Sequence, residues 1–502
     1  SMTKAFVFSP PLMALLALTM GAIQLMGHTY AWPFWGSMLV LTTIGFWGLA
    51  RLIFVPSFVT AWSVYGVRLA LAYGFGPLNT MTSGYVDGSA MYLVNFAGPS
   101  SLGRALGIME LIVAALLYIG HIDPNKTIPT EPFTDSERSA TFVMLVVVCA
   151  GTFIALATGQ LGFQGVQNGG DSGSALVSPL ASLVTSCLTP ATGLAILAYG
   201  TQPNSRTRSL VIFLCMLLAL TQMTQGRRLL LFNVLTLLMA FFAVRSAKGF
   251  FSPKIIMVLL VAVAVVAGAS RFFVSMRIAS YSLPVDATLA ERIEGAVDVI
   301  TRPEQSGLNE HLEQNQSTRT FVVGYVGELI EAYDRTGLTT QGDLLLLNVA
   351  AAMPTAIWPG NWRIISESVS DELACHTKMG MAGWDAANTV ITEGLCDFGW
   401  TGMLLYPLAM AGLMTLANLA VRRTNILVRS LVAFSTIKTL LGVEGVLTGY
   451  IVDLRNTAIL AIAAALVLAV FNWYQRLPLV VHGQQQRALR KQRLAELRKG
   501  VA

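Results

Sequence analysis

Two adjacent arginines, Arg227 and Arg228, stand between two apolar runs of the chain, Leu210 to Gln222 and Leu229 to Val244. A guanidinium group offers several fixed hydrogen-bond donors and stays charged when it is removed from water, so it suits phosphate oxygens. The charge pattern described below puts this pair on the outer face of a membrane, where Lys and Arg are otherwise scarce. The pair therefore predicts a binding site for an anionic ligand. The alternative is that each arginine only extends toward water or lipid headgroups.

More arginines and several acids are predicted on the same face. A carboxylate in a partly dry cleft can accept the proton of a hydroxyl group, so acids near an anion site are candidates for a general base. The arginines that extend the predicted anion site are Arg271, Arg277, Arg319 and Arg363. The candidate bases are Glu328, Asp385 and Glu393, with Glu331 and Asp397 close to them in sequence. For each acid the alternative is a solvated surface charge.

Three charged residues, Arg68, Glu110 and Glu444, lie inside apolar stretches. Charges are costly in a bilayer, so we expect these side chains to face the interior of a helix bundle. A structural Arg–Glu pair is the favoured interpretation, and a ligand or pathway role is the alternative. The sequence has no P-loop, dinucleotide-binding glycine motif, HExxH or nucleophile elbow, so we predict no ATP, nicotinamide, zinc or other cofactor.

Composition places these residues in a membrane protein. Of the 502 residues 54% are apolar and 12% are charged, and the mean hydropathy is +0.62, which excludes a soluble globular protein. A helix needs about 20 mostly apolar residues to cross the hydrocarbon core. We predict an all-α integral membrane protein of about twelve transmembrane helices, with the first a retained span because no small-residue cleavage site follows it. The stretches are 9–27, 33–50, 57–75, 105–121, 140–160, 175–199, 209–224, 229–246, 255–274, 399–421, 427–448 and 455–474.

Basic residues give the predicted orientation. They accumulate in alternate short loops and in the tail 475–502, which holds seven of them from Arg476 to Lys499. Because cytoplasmic loops carry the excess of Lys and Arg, both termini are predicted to be cytoplasmic. Residues 1–274 then contain nine spans, 275–398 form one large outer segment, and 399–474 contain three spans. The basic exceptions on the outer side are Arg104, Arg227, Arg228 and Arg455.

The outer segment is acidic and patterned. Its 124 residues hold seven Lys and Arg against seventeen Asp and Glu, a formal charge of −10, so the rest of the chain must carry +16 to reach the overall +6. That basic excess faces the inner leaflet and does not indicate nucleic acid. Amphipathic helices are predicted from Asp286 to Ile300 and from Phe321 to Tyr333, and the apolar stretch from Leu344 to Ile357 is predicted to be re-entrant or interfacial. Cys375 and Cys396 form a disulfide or remain two thiols.

Several short motifs follow one another in a fixed order. Gln225-Gly226-Arg227-Arg228 precedes a Leu-rich span, and Arg319-Thr320-Phe321 opens a helix of the outer segment. After them come MPTAIWPG at 353–360, NTVITE at 388–393 and DFGWTG at 397–402. Over about residues 205–425 this order resembles the bacterial O-antigen and exopolysaccharide polymerases of the Wzy type, which are relatives of the O-antigen ligases.

The resemblance implies a GT-C-like, metal-independent glycosyltransferase of the bacterial inner membrane that acts on its periplasmic side. It would transfer a growing glycan from undecaprenyl pyrophosphate to a fresh undecaprenyl-pyrophosphate-linked repeat unit, and so build O-antigen or exopolysaccharide. The expected partners are this lipid-linked oligosaccharide, membrane lipids, and the chain-length regulator and flippase of the same pathway. The arginines would bind the pyrophosphate, and one of the three candidate acids would be the base. The arginines expected to bind pyrophosphate are Arg227, Arg228, Arg271, Arg319 and Arg363. The three candidate bases are Glu328, Asp385 and Glu393.

Three other functions remain open. The ligases, which transfer glycan to the lipid A core, carry a histidine where this chain has Asp385-Ala386-Ala387-Asn388, so the polymerase is favoured over the ligase. A transporter of lipid-linked oligosaccharides would also need many spans, but the sequence shows no inverted repeat. A non-catalytic assembly subunit would need only the spans.

Overall fold

A computed structural model describes residues 9–27, 31–82, 98–158, 179–200, 205–222, 227–244, 253–284, 289–310, 312, 322–354, 357–360, 389–442 and 447–476. Every regular element in these ranges is a helix, and no strand occurs in them. The helices are α1 (Pro10–Met26), α2 (Ala31–Phe54), α3 (Ala61–Ala70), α4 (Gly76–Thr82), α5 (Gly98–Ile122), α6 (Asp135–Ala157), α7 (Pro179–Tyr199), α8 (Ser205–Thr221), α9 (Arg227–Val244), α10 (Pro253–Ser282), α11 (Leu289–Thr301), α12 (Pro303–Ser306), α13 (Val322–Thr336), α14 (Asp343–Ala352), α15 (Val390–Ala420), α16 (Ile426–Leu441) and α17 (Leu447–Gln475).

Apolar helices confirm the all-helical membrane fold. Each of the twelve predicted stretches overlaps a helix. Six helices of the described chain are long and apolar enough to cross a membrane, and four others are apolar but shorter. The count of twelve spans therefore remains a prediction. The six are Phe34–Phe54, Ser100–Ile122, Asp135–Ala157, Leu260–Ser282, Val390–Ala420 and Leu447–Gln475; the shorter ones are Pro10–Met26, Leu183–Tyr199, Leu229–Val244 and Asp343–Ala352.

One continuous apolar core holds the bundle together. Its large fully buried side chains include Tyr65, Tyr73, Phe434 and Tyr450. The outward faces of the helices are also apolar, and α10 exposes its side chains most, with Met257, Leu260 and Val263 among them. A water-soluble bundle would place polar residues on such faces, so this distribution fits a helix bundle surrounded by lipid.

Contacts between loops and helix ends divide the bundle into two ends. At the first, Trp62 Nε1 donates to Asp123 Oδ2 at 3.1 Å, and Ser136 Oγ donates to Gln475 Oε1 at 2.8 Å. We call this the inner end, because its residues are those predicted to be cytoplasmic. We call the opposite end the cap end; it holds residues 98–104, 328–352, 389–402, 442 and 447–456, which contact one another as described below. This pairing of the loops is the one that the predicted order of spans requires, whereas the side facing the cytoplasm remains a prediction.

The first predicted helix of the outer segment corresponds to α11, while its proposed N-cap, Asp286, lies outside the described residues. Helix α11 packs on α10, where Arg292 Nη1 donates to Ser280 Oγ at 3.0 Å and Ala296 is fully buried. Ile293 and Val297 are 41% and 49% exposed. Part of the apolar side of α11 is therefore exposed, and its contact with a membrane surface remains a prediction.

The second predicted helix corresponds to α13, and the predicted re-entrant stretch forms the short helix α14. Val323, Val326 and Leu329 on α13 are fully buried, and α13 packs on α5. This confirms that its apolar side is covered by the bundle. Helix α14 has only ten residues and packs on α15 and α17. It is thus a half-helix held between longer ones.

The cysteines partly follow expectation. Cys149, Cys187 and Cys215, predicted inside spans, are buried in helices α6, α7 and α8. Cys396 is fully buried in α15. Cys375 lies outside the described residues, so its predicted bridge to Cys396 stays a prediction.

Candidate functional site at the cap end

The motif DFGWTG at 397–402 breaks helix α15 in two. Phe398 and Gly399 have non-helical backbone angles, and the φ of Gly399 is +61°, a value that favours glycine. The two parts fold close together: a Cβ on Gly402 would lie 1.9 Å from the carbonyl oxygen of Gly394. Glycine at both positions therefore allows the short part, 390–397, to pack against the start of the long part.

Asp397, at this break, accepts hydrogen bonds with both carboxylate oxygens. Its Oδ2 accepts from the backbone N–H of Leu345 at 2.9 Å and from the hydroxyl of Tyr406 at 2.6 Å. Its Oδ1 accepts from the backbone N–H of Leu344 at 3.1 Å and from the Thr340 hydroxyl. The side chain is fully buried. Asp397 thus caps the N-terminus of α14, where a negative charge is favourable, and fixes α14 to the break in α15.

Glu393, one turn before Asp397 in α15, also joins helices by accepting hydrogen bonds. Its Oε2 accepts from the backbone N–H of Leu447 at 2.7 Å, and its Oε1 accepts from Asn348 Nδ2 at 3.2 Å. Asn348 in turn accepts a hydrogen bond from Thr448. Glu393 is 1% exposed, so in this conformation it joins α14, α15 and the start of α17. As a predicted base it lies at the cap end, but both of its oxygens are engaged.

A polar network continues from this point into the bundle. Lys438 Nζ lies 3.3 Å from Asp453 Oδ1, which also accepts from Ser186 Oγ at 3.4 Å. Thr439 Oγ1 donates to Asp453 Oδ2 at 3.1 Å, and Asn456 Nδ2 donates to Ser186 Oγ at 3.0 Å. This network joins α7, α16 and α17. Neither Lys438 nor Asp453 was among the predicted site residues. Lys438 could have been found as a charge within the apolar stretch 427–448, whereas Asp453 lies just before the stretch 455–474.

Arg455 lies at the cap end of the same network. Its Nη1 donates to the carbonyl oxygen of Ala352, the last residue of α14, at 3.0 Å. Its Nη2 and Nε lie 3.3 Å and 3.4 Å from Asn456 Oδ1. From the sequence, Arg455 was only an exception to the charge rule. In the structure it connects α14 and α17.

Helix α13 is attached to the bundle by a charged contact. Arg104 on α5 forms an ion pair with Asp334 on α13, and its guanidinium lies 5.6 Å from the ring centroid of Trp400. Trp400 belongs to the motif that breaks α15, so this contact joins α5, α13 and α15. Glu328, the first candidate base, is half-buried on α13.

Only some of the other predicted site residues belong to the described part of the chain. Arg227 and Arg228 are the first residues of α9, and their side chains are outside the description. Arg271 is exposed on α10. Arg319, Arg363 and Asp385 lie outside the described residues. The approach of Glu328 to the arginine pair is therefore still a prediction.

The intramembrane charges face the interior, as expected. Arg68 Nε donates to the carbonyl oxygen of Leu441, at the end of α16, at 2.7 Å, and its guanidinium lies 5.0 Å from the ring centroid of Phe232. Glu110 is fully buried between α1, α2 and α5, where Ser37 Oγ donates to it at 3.0 Å. The favoured Arg–Glu pair is thus wrong for Glu110, because its nearest polar partner is a hydroxyl group on α2. Glu444 lies outside the described residues.

Around these residues the chemistry available is that of carboxylates, arginines and hydroxyl groups. Within the described part of the chain, no group of three His, Cys, Asp or Glu side chains has a metal-binding arrangement. No protein-family model matches the sequence, and no curated protein or solved structure is significantly similar to it.

Proposed function

We propose that this protein is a membrane glycosyltransferase that polymerises undecaprenyl-pyrophosphate-linked oligosaccharide repeat units at the cap end. The observation that supports this most is the contact between two segments that are distant in sequence. The segment 389–402, which contains most of one motif and all of DFGWTG, meets the predicted re-entrant stretch at 344–348 around the buried carboxylates Glu393 and Asp397. Ionisable side chains buried in an apolar bundle are costly and mark a candidate functional site, and here they lie next to the motif that breaks α15.

The reaction needs a displacement at an anomeric carbon. A hydroxyl oxygen of the acceptor repeat unit attacks that carbon, and the bond from the carbon to the pyrophosphate oxygen breaks. The hydroxyl proton passes to a carboxylate, for which Glu328, half-buried on α13 at the cap end, is our candidate. The pyrophosphate leaves on its lipid with more negative charge than before. Arginines placed beforehand around it stabilise that charge and supply most of the catalysis.

The arginine pair gives the test of this function. Purified protein with a lipid-linked repeat unit is expected to form a ladder of polymers on a gel. Replacing Arg227 or Arg228 with Ala should abolish the ladder at near wild-type abundance, since the leaving pyrophosphate loses its cationic partner. Lys at either position should restore activity partly, because it keeps the charge but loses the paired donors.

The chain offers a matched control for this experiment. Arg422 and Arg423 are also an adjacent pair between two apolar helices, α15 and α16, and both are exposed, but they lie at the inner end. Their Ala variants should keep the wild-type ladder. Wild-type polymer length in the Arg227 and Arg228 variants would contradict the proposed role of that pair.

The polymer-ladder assay also distinguishes the polymerase from a ligase and from a transporter. A ligase would transfer preformed glycan to lipid A core and leave single repeat units unpolymerised. A transporter would move the lipid-linked unit across a vesicle membrane and form no glycosidic bond. Either result would replace the polymerase as the function of this protein.

A further inference from the structure

Three charged residues, Lys438, Asp453 and Arg455, belong to the polar network that joins α7, α14, α16 and α17. Lys438 is paired with Asp453, whose side chain is 24% exposed. Arg455 forms no ion pair among the described residues: its hydrogen bonds go to a backbone carbonyl and to the side-chain amide of Asn456. Its guanidinium therefore has only neutral partners among these residues, although the buried carboxylates Glu393 and Asp397 also lie at the cap end.

The charge of Arg455 is held in a fixed position. The carbonyl of Ala352 is at the C-terminus of α14, where the partial negative charge of the helix end attracts a cation. Asn456 is 4% exposed and is itself held by Ser186 on α7. Three helices thus orient the Arg455 guanidinium through neutral acceptors, and these do not neutralise it. A half-buried cation without an anionic partner is costly in an apolar bundle unless an anion binds it.

We propose that Arg455 binds a phosphate oxygen of the pyrophosphate on the lipid-linked substrate. This inference rests on the proposed function, and it adds to the arginine pair a binding residue on the last described helix. The guanidinium supplies a second cationic contact to the pyrophosphate, fixed through α14 and α17 and independent of the turn before α9. Asn456 is then a positioning residue, which holds the guanidinium through its side-chain oxygen.

Direct binding tests the proposal without requiring turnover. The protein in detergent is titrated with undecaprenyl pyrophosphate, and the bound fraction is measured by native mass spectrometry. Arg455→Gln should weaken binding by roughly 10-fold or more, because one charged hydrogen bond is lost. Arg455→Lys should weaken it less, since the charge remains. Arg335→Gln, which removes an exposed arginine of the same end, should bind like the wild type.

A second measurement covers the case in which the glutamine variant does not fold. In the wild-type protein, undecaprenyl pyrophosphate should protect Arg455 from modification by phenylglyoxal, and phosphatidylglycerol at the same concentration should not. Equal protection by phosphatidylglycerol would make this a site for ordinary lipid headgroups and overturn the assignment. Unchanged binding by Arg455→Gln would also overturn it while leaving the polymerase proposal intact. Failure of the wild type both to bind undecaprenyl pyrophosphate and to form polymer would contradict both proposals.

Discussion

At the scale of single residues, acids that are equivalent candidates in the sequence differ in burial and in the number of hydrogen bonds that they accept. Asp397 accepts four hydrogen bonds and is fully buried, and Glu393 accepts two and is 1% exposed. Glu328 is half-buried on α13. The four hydrogen bonds to Asp397 use its acceptor capacity, whereas Glu393 accepts one bond on each oxygen. Asp397 therefore positions elements, Glu393 joins three helices, and Glu328 is the candidate base on α13.

Asp397→Asn should destabilise the protein. The amide keeps one oxygen but presents an NH₂ group to donors that need an acceptor, so buried N–H or O–H groups lose their partners. We expect a cost of roughly 2–4 kcal/mol, seen as a lower temperature of thermal aggregation in detergent. The matched control is Asp343→Asn, on the exposed first turn of α14, which should change stability little. Equal stability of the two variants would contradict the assignment of Asp397 as the cap of α14.

Glu328→Gln should reduce polymerisation by roughly 10²-fold or more while the protein still binds the lipid-linked unit. The reason is that glutamine keeps the shape of the side chain but cannot take the acceptor proton. Glu331, exposed on the same helix one turn later, gives the control variant Glu331→Gln, which should retain activity. Loss of binding together with turnover would make Glu328 a structural residue, and unchanged activity would move the assignment to Asp385 and Glu393.

At the scale of elements, the site is built from interrupted helices. Helix α15 breaks at Phe398 and Gly399, α14 ends after ten residues, and α16 ends at Leu441 ahead of α17. Each interruption exposes helix ends inside a bundle, and their unpaired backbone groups need partners. Asp397, Glu393, Arg68 and Arg455 supply them. The charged side chains at the cap end are thus a consequence of breaking helices there.

Gly402→Ala tests the close approach of the two parts of α15. Its added methyl group would lie 1.9 Å from the Gly394 carbonyl oxygen, so the backbone must move. We expect a loss of stability of roughly 1–3 kcal/mol and a disturbed cap end, measured by thermal stability and by the polymer ladder. Gly449→Ala is the control, because a Cβ there meets nothing within 4 Å, and alanine is the better helix former. A Gly402→Ala protein as stable as the control would contradict the packing of α15.

At the scale of the whole molecule, the bundle has two ends of different construction. At the inner end, Arg429 pairs with Glu131 and Arg422 donates to Asn125, so loops are joined by exposed contacts. At the cap end, short helices enter between the long ones and bury carboxylates. Lipid-facing side chains lie between the ends. This polarity is expected of a protein that works on one side of a membrane.

Cysteine labelling tests which end is periplasmic. In a background with Cys375→Ser, a cysteine at Gln305 in the outer segment should react with a membrane-impermeant maleimide in whole cells. A cysteine at Thr130, exposed at the inner end, should react only after lysis. The remaining cysteines of the described chain are buried and should stay silent. The reverse pattern would invert the orientation.

The sequence by itself determined the membrane class and the approximate positions of the apolar helices. Apolar runs of sufficient length must become helices in lipid because every backbone polar group needs an internal partner. For the same reason the amphipathic patterns of α11 and α13 predicted both helices and the buried side of α13. These are local properties, and they can be obtained from composition and periodicity.

Only the tertiary structure decided what the charged residues of the cap end do. Asp397 and the N-terminus of α14 are more than 50 residues apart along the chain, and Arg455 and Ala352 are 103 apart. Periodicity carries no information on which helix end a distant carboxylate or guanidinium will reach. Whether Glu393 is a free base or a bonded cap, and whether Arg455 has an anionic partner, depends on how the interrupted helices pack against one another.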